Sequence, residues 1–205
     1  MARLNGFKKS DRAKVAKQIA KCATLSARTA QLSNREVHLA EEFEVWKLLP
    51  KAFAKPDARL AKLAKPTGYW QHLVRHGGAA RELASSIRDK ATGKWKVHSI
   101  GSSILAEKLG KAVQWLDHND HSDCVVRILL VPTFSLHALW LFCEANDRVV
   151  LFDSMRTVQG LVFEKIYAGA EFLVAISQEA QKLPAAAKLT NPPRKKRPRS
   201  PFEKL

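Results

Sequence analysis

The stretch 124–153, CVVRILLVPTFSLHALWLFCEANDRVVLFD, divides into three apolar runs separated by turn signals. Runs 124–131, 136–144 and 148–153 are rich in Val, Leu, Ile and aromatic residues, the composition of strands. Pro132 lies in the first break and Asn146-Asp147 in the second. Both faces of each run are apolar, so the sheet should be covered on both sides. Breaks this short join antiparallel neighbours. The expectation is a three-stranded meander.

Further along, 159–182 places Val162, Ile166, Ala170, Leu173 and Ile176 at helical spacing, and Pro184 closes the folded part. Upstream of the meander, Gly101-Ser102-Ser103 opens a helix that turns Ile104, Leu105, Leu109, Val113 and Leu116 inward. A polar loop, 117–123, follows it. Trp95 and Val97 alternate with Lys94, Lys96 and His98, as in a short additional strand.

The amino-terminal half reads as helical. Ser10-Asp11 can cap a helix over 10–31, with Val15, Ile19, Cys22 and Leu25 three or four apart. Ser33 to Glu36 has the form of a capping box for a second helix, with Leu39, Phe43, Trp46 and Leu49 along one stripe and Pro50 at its end. A short basic turn at 56–65 precedes a third helix over 67–90, interrupted at Gly77-Gly78. The tail, 184–205, has five prolines and little to bury, and reads as disordered.

The fold class expected is α+β, in three parts. Residues 1–66 form a basic helical region. Residues 67–183 form a core in which helices cover a small, mostly antiparallel sheet. Residues 184–205 form a basic disordered tail.

Charge follows the same division. Residues 1–100 carry 21 Lys+Arg against 8 Asp+Glu, residues 101–183 carry 7 against 10, and residues 184–205 carry 7 against 1. The formal net charge is +16. A basic front and a basic tail around a slightly acidic middle point to a polyanionic partner. The leading expectation is a non-enzymatic nucleic-acid-binding protein that meets phosphates electrostatically. Its candidate contacts are Lys8, Lys9, Arg12, Lys14, Lys17, Lys21 and Arg28 in the front, with Arg194, Lys195, Lys196, Arg197 and Arg199 in the tail. Tyr69, Trp70 and Arg75 interleave aromatic and basic groups and could stack a base. The alternative is a protein-interaction module, such as an inhibitor, adaptor or effector, docking on an acidic surface.

Two further constellations carry chemistry. His72 and His76 are four apart, so on a helix they share a face and could hold a metal, although no third ligand is near them in sequence. His118, Asp120, His121 and Asp123 cluster in the polar loop. No metal or other cofactor is expected.

The other constellation has an order: a small-residue helix start at Ser102-Ser103, a strand carrying His137, and a neighbouring strand ending at Asp153. Over residues 101–155 this resembles the papain-like superfamily, and HALWLFCEANDRVVLFDSM resembles its histidine strand, turn and acid strand. The resemblance implies a hydrolase, or an inactive relative, with Ser102 or Ser103 as nucleophile, His137 as base and Asp153 orienting it. It departs from the family where serine replaces cysteine.

The longest uncharged apolar stretch, 128–143, is broken by Pro132 and is shorter than the roughly 20 residues of a spanning helix. No membrane partner is expected. The basic start lacks an apolar secretory core, though the amphipathic, acid-poor 1–32 is compatible with a mitochondrial presequence. The RKKRPR core at 194–199 resembles a monopartite nuclear-import signal. Cys22, Cys124 and Cys143 are odd in number and irregular in spacing, so no disulfide is expected and a reducing, cytoplasmic setting fits.

Overall fold

A computed structural model describes residues 9–25, 37–76 and 79–183. Eight strands form one sheet: β1 (Val37–Lys47), β2 (Lys65–His76), β3 (Ala79–Arg88), β4 (Trp95–Gly101), β5 (Val125–Val131), β6 (Leu136–Phe142), β7 (Arg148–Ser154) and β8 (Ile166–Ala168). Their order is β4-β3-β2-β1-β5-β6-β7-β8. The central pair, β1 and β5, is parallel, and all other neighbours are antiparallel. The helices are α1 (Lys9–Leu25), the single turn α2 (Leu60–Leu63), α3 (Ser103–Asn119) and α4 (Gly169–Gln181), with 3-10 turns at Pro50–Ala54 and Pro132–Phe134.

This overturns the small meander behind a helical front. Strands β5 to β7 make up only part of a mixed sheet, and the amino-terminal half supplies four more strands. The second expected helix is β1. Its pairing with β2 slips between Leu39 and Glu42 and again between Glu44 and Trp46. The first slip is a one-residue bulge in β1 and the second adds residues on β2. Leu39 and Trp46 pack on one face of the sheet and Phe43 on the other, so apolar residues drawn from both faces fall three or four apart and imitate a helix. The third expected helix is the β2–β3 pair, and Gly77-Gly78 falls between two strands. Leu73 and Val74 are both fully buried, one on each face of the sheet, which leaves no polar stripe to mark a period of two. In the last expected helix, 166–168 form β8 and only 169–181 are helical, while Val162 is 58% exposed instead of buried.

Helix α3 packs against both β3 and β7. Those strands stand five places apart in the sheet order. A flat sheet would hold them roughly 24 Å apart at about 4.8 Å per step, twice the width of a helix. The sheet therefore curls around α3. The concave core joins Leu109, Val113 and Leu116 of α3 to Phe43, Leu73, Leu83, Ile128, Leu139 and Phe152. On the convex side, α4, α2 and the Pro50–Ala54 turn cover β5 to β8 around fully buried Trp140, Tyr167 and Phe172. Each such aromatic contributes on the order of 2 to 3 kcal/mol by burial. The other end of the convex side is covered by α1.

The reading of unpaired cysteines is also corrected. Val125 lies opposite Phe142 in the β5–β6 ladder, which puts Cys124 opposite Cys143 at a Cα separation of 4.7 Å. The two form a disulfide, within the distance such a bond needs. A bonded pair does not point to a reducing compartment.

Candidate functional site

Helix α1 is attached to the sheet by three devices. Val15 and Ile19, four apart, are buried on Val74 and Ala84, with Leu39, Trp95, Val97 and Ile100 around them. Gln18 serves the backbone of the edge strand β4: its Nε2 donates to the Trp95 carbonyl at 3.0 Å, and its Oε1 accepts from the Val97 N–H at 3.1 Å. Arg12 donates to the carbonyls of Leu39 and Ala40, at the first bulge of β1, and pairs with Glu42 at 2.9 Å. Burial pushes the Glu42 carboxyl up, while the Arg12 guanidinium pulls it down.

With that face committed, Lys14, Lys17 and Lys21 are all exposed. Spaced three and four apart, they line one ridge of the helix. Lys14 also lies 3.7 Å from Asp11.

The other predicted phosphate contacts divide. Lys8, Arg28 and the tail residues Arg194, Lys195, Lys196, Arg197 and Arg199 lie outside the described residues, and Lys9 is the first residue of α1. Arg75 is half-buried and pairs with Glu41 at 3.1 Å. Trp70 stands edge-on to Trp95, with centroids 6.3 Å apart. Tyr69, next to it in sequence, points to the opposite face, is 36% exposed, and has its ring 5.6 Å from that of His98.

His72 is fully buried and hydrogen-bonds Ser86 at 2.7 Å. Desolvation, helped by Arg12, lowers its pKa to about 4, so it is neutral at pH 7. His72 and His76 lie on a strand, where four residues span about 13 Å, too far for one ion. In the loop, Asp120 pairs with Arg148 at 2.8 Å and His118 Nδ1 donates to the Gln114 carbonyl at 2.6 Å. No metal-like cluster of three His, Cys, Asp or Glu occurs among the described residues.

The serine, histidine and aspartate converge in part. Strand β4 passes directly into α3 through Ser102, which has left-handed backbone angles (φ 59°, ψ 55°). Such a conformation is strained for a side-chain-bearing residue. Ser102, Ser103, Ile104, Leu105 and Asp153 line a pocket of about 380 Å³ where the end of β7 meets the start of α3. His137 and Asp153 are partners across β6 and β7, and His137 Nδ1 lies 3.1 Å from Asp153 Oδ2. A carboxylate only accepts, so Nδ1 carries the proton and Nε2 is the basic nitrogen. The other Asp153 oxygen holds Lys108 of α3 at 2.6 Å. Neither serine hydroxyl hydrogen-bonds His137 among the described residues.

Sequence reasoning did not single out Lys108, Gln18 or His98. All three act across the sheet or between helix and strand, at separations for which the sequence carries no local signal. Compared with known protein families, curated proteins and solved structures, the chain matches none. The papain-like resemblance therefore stands on its own quoted residues.

Proposed function

We propose that the protein binds nucleic acid through its amino-terminal helix. The observation that carries this is the division of labour on α1: Val15, Ile19, Gln18 and Arg12 anchor it, and Lys14, Lys17 and Lys21 form one outward ridge. Lysines aligned at helical spacing meet successive phosphates as point charges and release counterions. A chain with formal charge +16 supplies the surrounding field. Affinity should be high at low salt, fall steeply as salt is added, and depend weakly on sequence. Titrating labelled duplex DNA, single-stranded DNA and RNA at two salt concentrations tests it. Absence of binding to all three at low salt removes the reading, and a stoichiometric complex with an acidic protein instead would assign the ridge to that partner.

A second reading, hydrolysis at Ser102 or Ser103, is favoured by one observation: the His137–Asp153 bond beside a pocket that also holds both serines. It ranks lower because the serines do not reach His137 and because Asp153 also serves Lys108. A fluorophosphonate probe should label one serine in the wild type and fail to label His137→Ala. An unlabelled wild type without ester turnover rejects it.

A further inference from the structure

The face of the outer sheet opposite α1 is only partly covered. Tyr69, Gln71 and Leu73 alternate onto it from β2. Ser85 lies opposite Gln71 and Ile87 opposite Tyr69, while Ser99 and Lys96 of β4 continue those two rows. Helix α3 covers the Leu73–Leu83 end of this face. Toward the other end the face opens: Tyr69, Lys96, His98 and Ser99 are exposed, and Ile87 is half-exposed. The β3–β4 pairing skips His98, and the bulge places its ring beside that of Tyr69.

This open end is also the basic end. Lys65 at the start of β2, Arg88 at the end of β3, and Lys90, Lys94 and Lys96 at the β3–β4 connection and the start of β4 are all exposed there. Asp89 is the single acid of the connection, and it is occupied by Lys96 at 2.8 Å and by the N–H groups of Ala91 and Thr92.

Resting on the nucleic-acid reading above, we infer that this sheet face is a stacking platform for single-stranded nucleic acid. Tyr69 and His98 would take unstacked bases on their ring faces. Lys65 and Lys94 would hold the adjoining phosphates. Duplex bases are stacked on one another and cannot use such a surface, so the platform discriminates single strands from duplexes. Phosphate contacts set the salt dependence, whereas stacking is local and weakly affected by salt. The α1 ridge and the platform therefore contribute separable quantities.

The experiment compares wild type, Tyr69→Ala, Tyr69→Phe and His98→Ala on a uridine oligomer and on a duplex of the same length, across a salt series. Tyr69→Ala should weaken oligomer binding roughly 5- to 150-fold, the worth of one stacked base. Its salt slope and duplex affinity should be unchanged, and Tyr69→Phe should retain wild-type affinity. His98→Ala should show the same pattern. Photocrosslinking of an iodouridine oligomer to the wild type gives a readout that no destabilised variant can confound, with adducts expected on Tyr69 or His98. Unchanged oligomer affinity, equal losses on oligomer and duplex, or adducts confined to other surfaces would overturn the platform and leave the α1 reading standing. A wild type that binds neither probe at low salt would remove both.

Discussion

Arg12 of α1 lies 2.9 Å from Glu42, a carboxylate that is 6% exposed in the middle of β1. A cation that the sequence assigns to phosphate contact is thus spent on the protein's own sheet. It supplies the counter-ion of a buried acid and donates to the Leu39 and Ala40 carbonyls at the β1 bulge.

Arg12→Ala should cost about 2 kcal/mol at pH 7, by leaving Glu42 without its counter-ion and the carbonyls without their donor. The sign with pH follows from Glu42. Its folded pKa is raised, and losing Arg12 raises it further, so the charged carboxylate penalises folding at neutral pH. Protonation removes that penalty. The deficit of Arg12→Ala relative to wild type should therefore be greatest near pH 7 and shrink toward pH 4, as read from urea midpoints at a series of pH values.

His72 imposes the opposite trend on the wild type. Its folded pKa is lowered to about 4 against an ordinary 6.5. Over that window the unfolded chain binds the extra proton, so stability falls as pH drops from about 6.5 to about 4, by on the order of 3 kcal/mol. His72→Gln, which can still bond Ser86, should flatten the profile by about one proton. An unchanged slope would show that His72 is not the group responsible.

The Cys124–Cys143 bridge closes a loop of sequence separation 19. Reduction, or Cys124→Ser with Cys143→Ser, should cost about 3 kcal/mol and lower Tm by roughly 6 to 12 °C. Mass spectrometry after alkylation, with and without reductant, checks the bond.

The legibility of this fold tracks where its order is local. The β5–β7 stretch declares itself by continuous β-branched, leucine and aromatic runs bounded by turn signals, and the α3 face of Leu105, Leu109, Val113 and Leu116 by its uninterrupted helical period. Strand β1 does not, because a bulge shifts its faces, both faces carry apolar residues, and a buried Glu42 occupies a position that reads as polar surface. The β2–β3 pair is hidden by small residues and by His72, whose burial depends on Ser86 of the neighbouring strand. Of the candidate site, the His137–Asp153 pair was readable because antiparallel register makes it a cross-strand neighbour. The third group on Asp153, Lys108, comes from a helix packed across the sheet. The lysine ridge of α1 was readable as charge, but only docking of Val15 and Ile19 separates Lys14, Lys17 and Lys21 from Arg12.

Whether this ridge meets phosphates is read from the salt dependence of nucleic-acid binding by Lys14→Gln/Lys17→Gln/Lys21→Gln. Each lost phosphate contact lowers the slope of log K against log salt by about 0.9 on duplex DNA and about 0.7 on a single strand. The triple variant should fold with wild-type stability and lose roughly 2 to 3 units of slope on duplex DNA. A slope equal to that of the wild type, or a wild type that binds no nucleic acid at low salt, would contradict phosphate contact by the ridge.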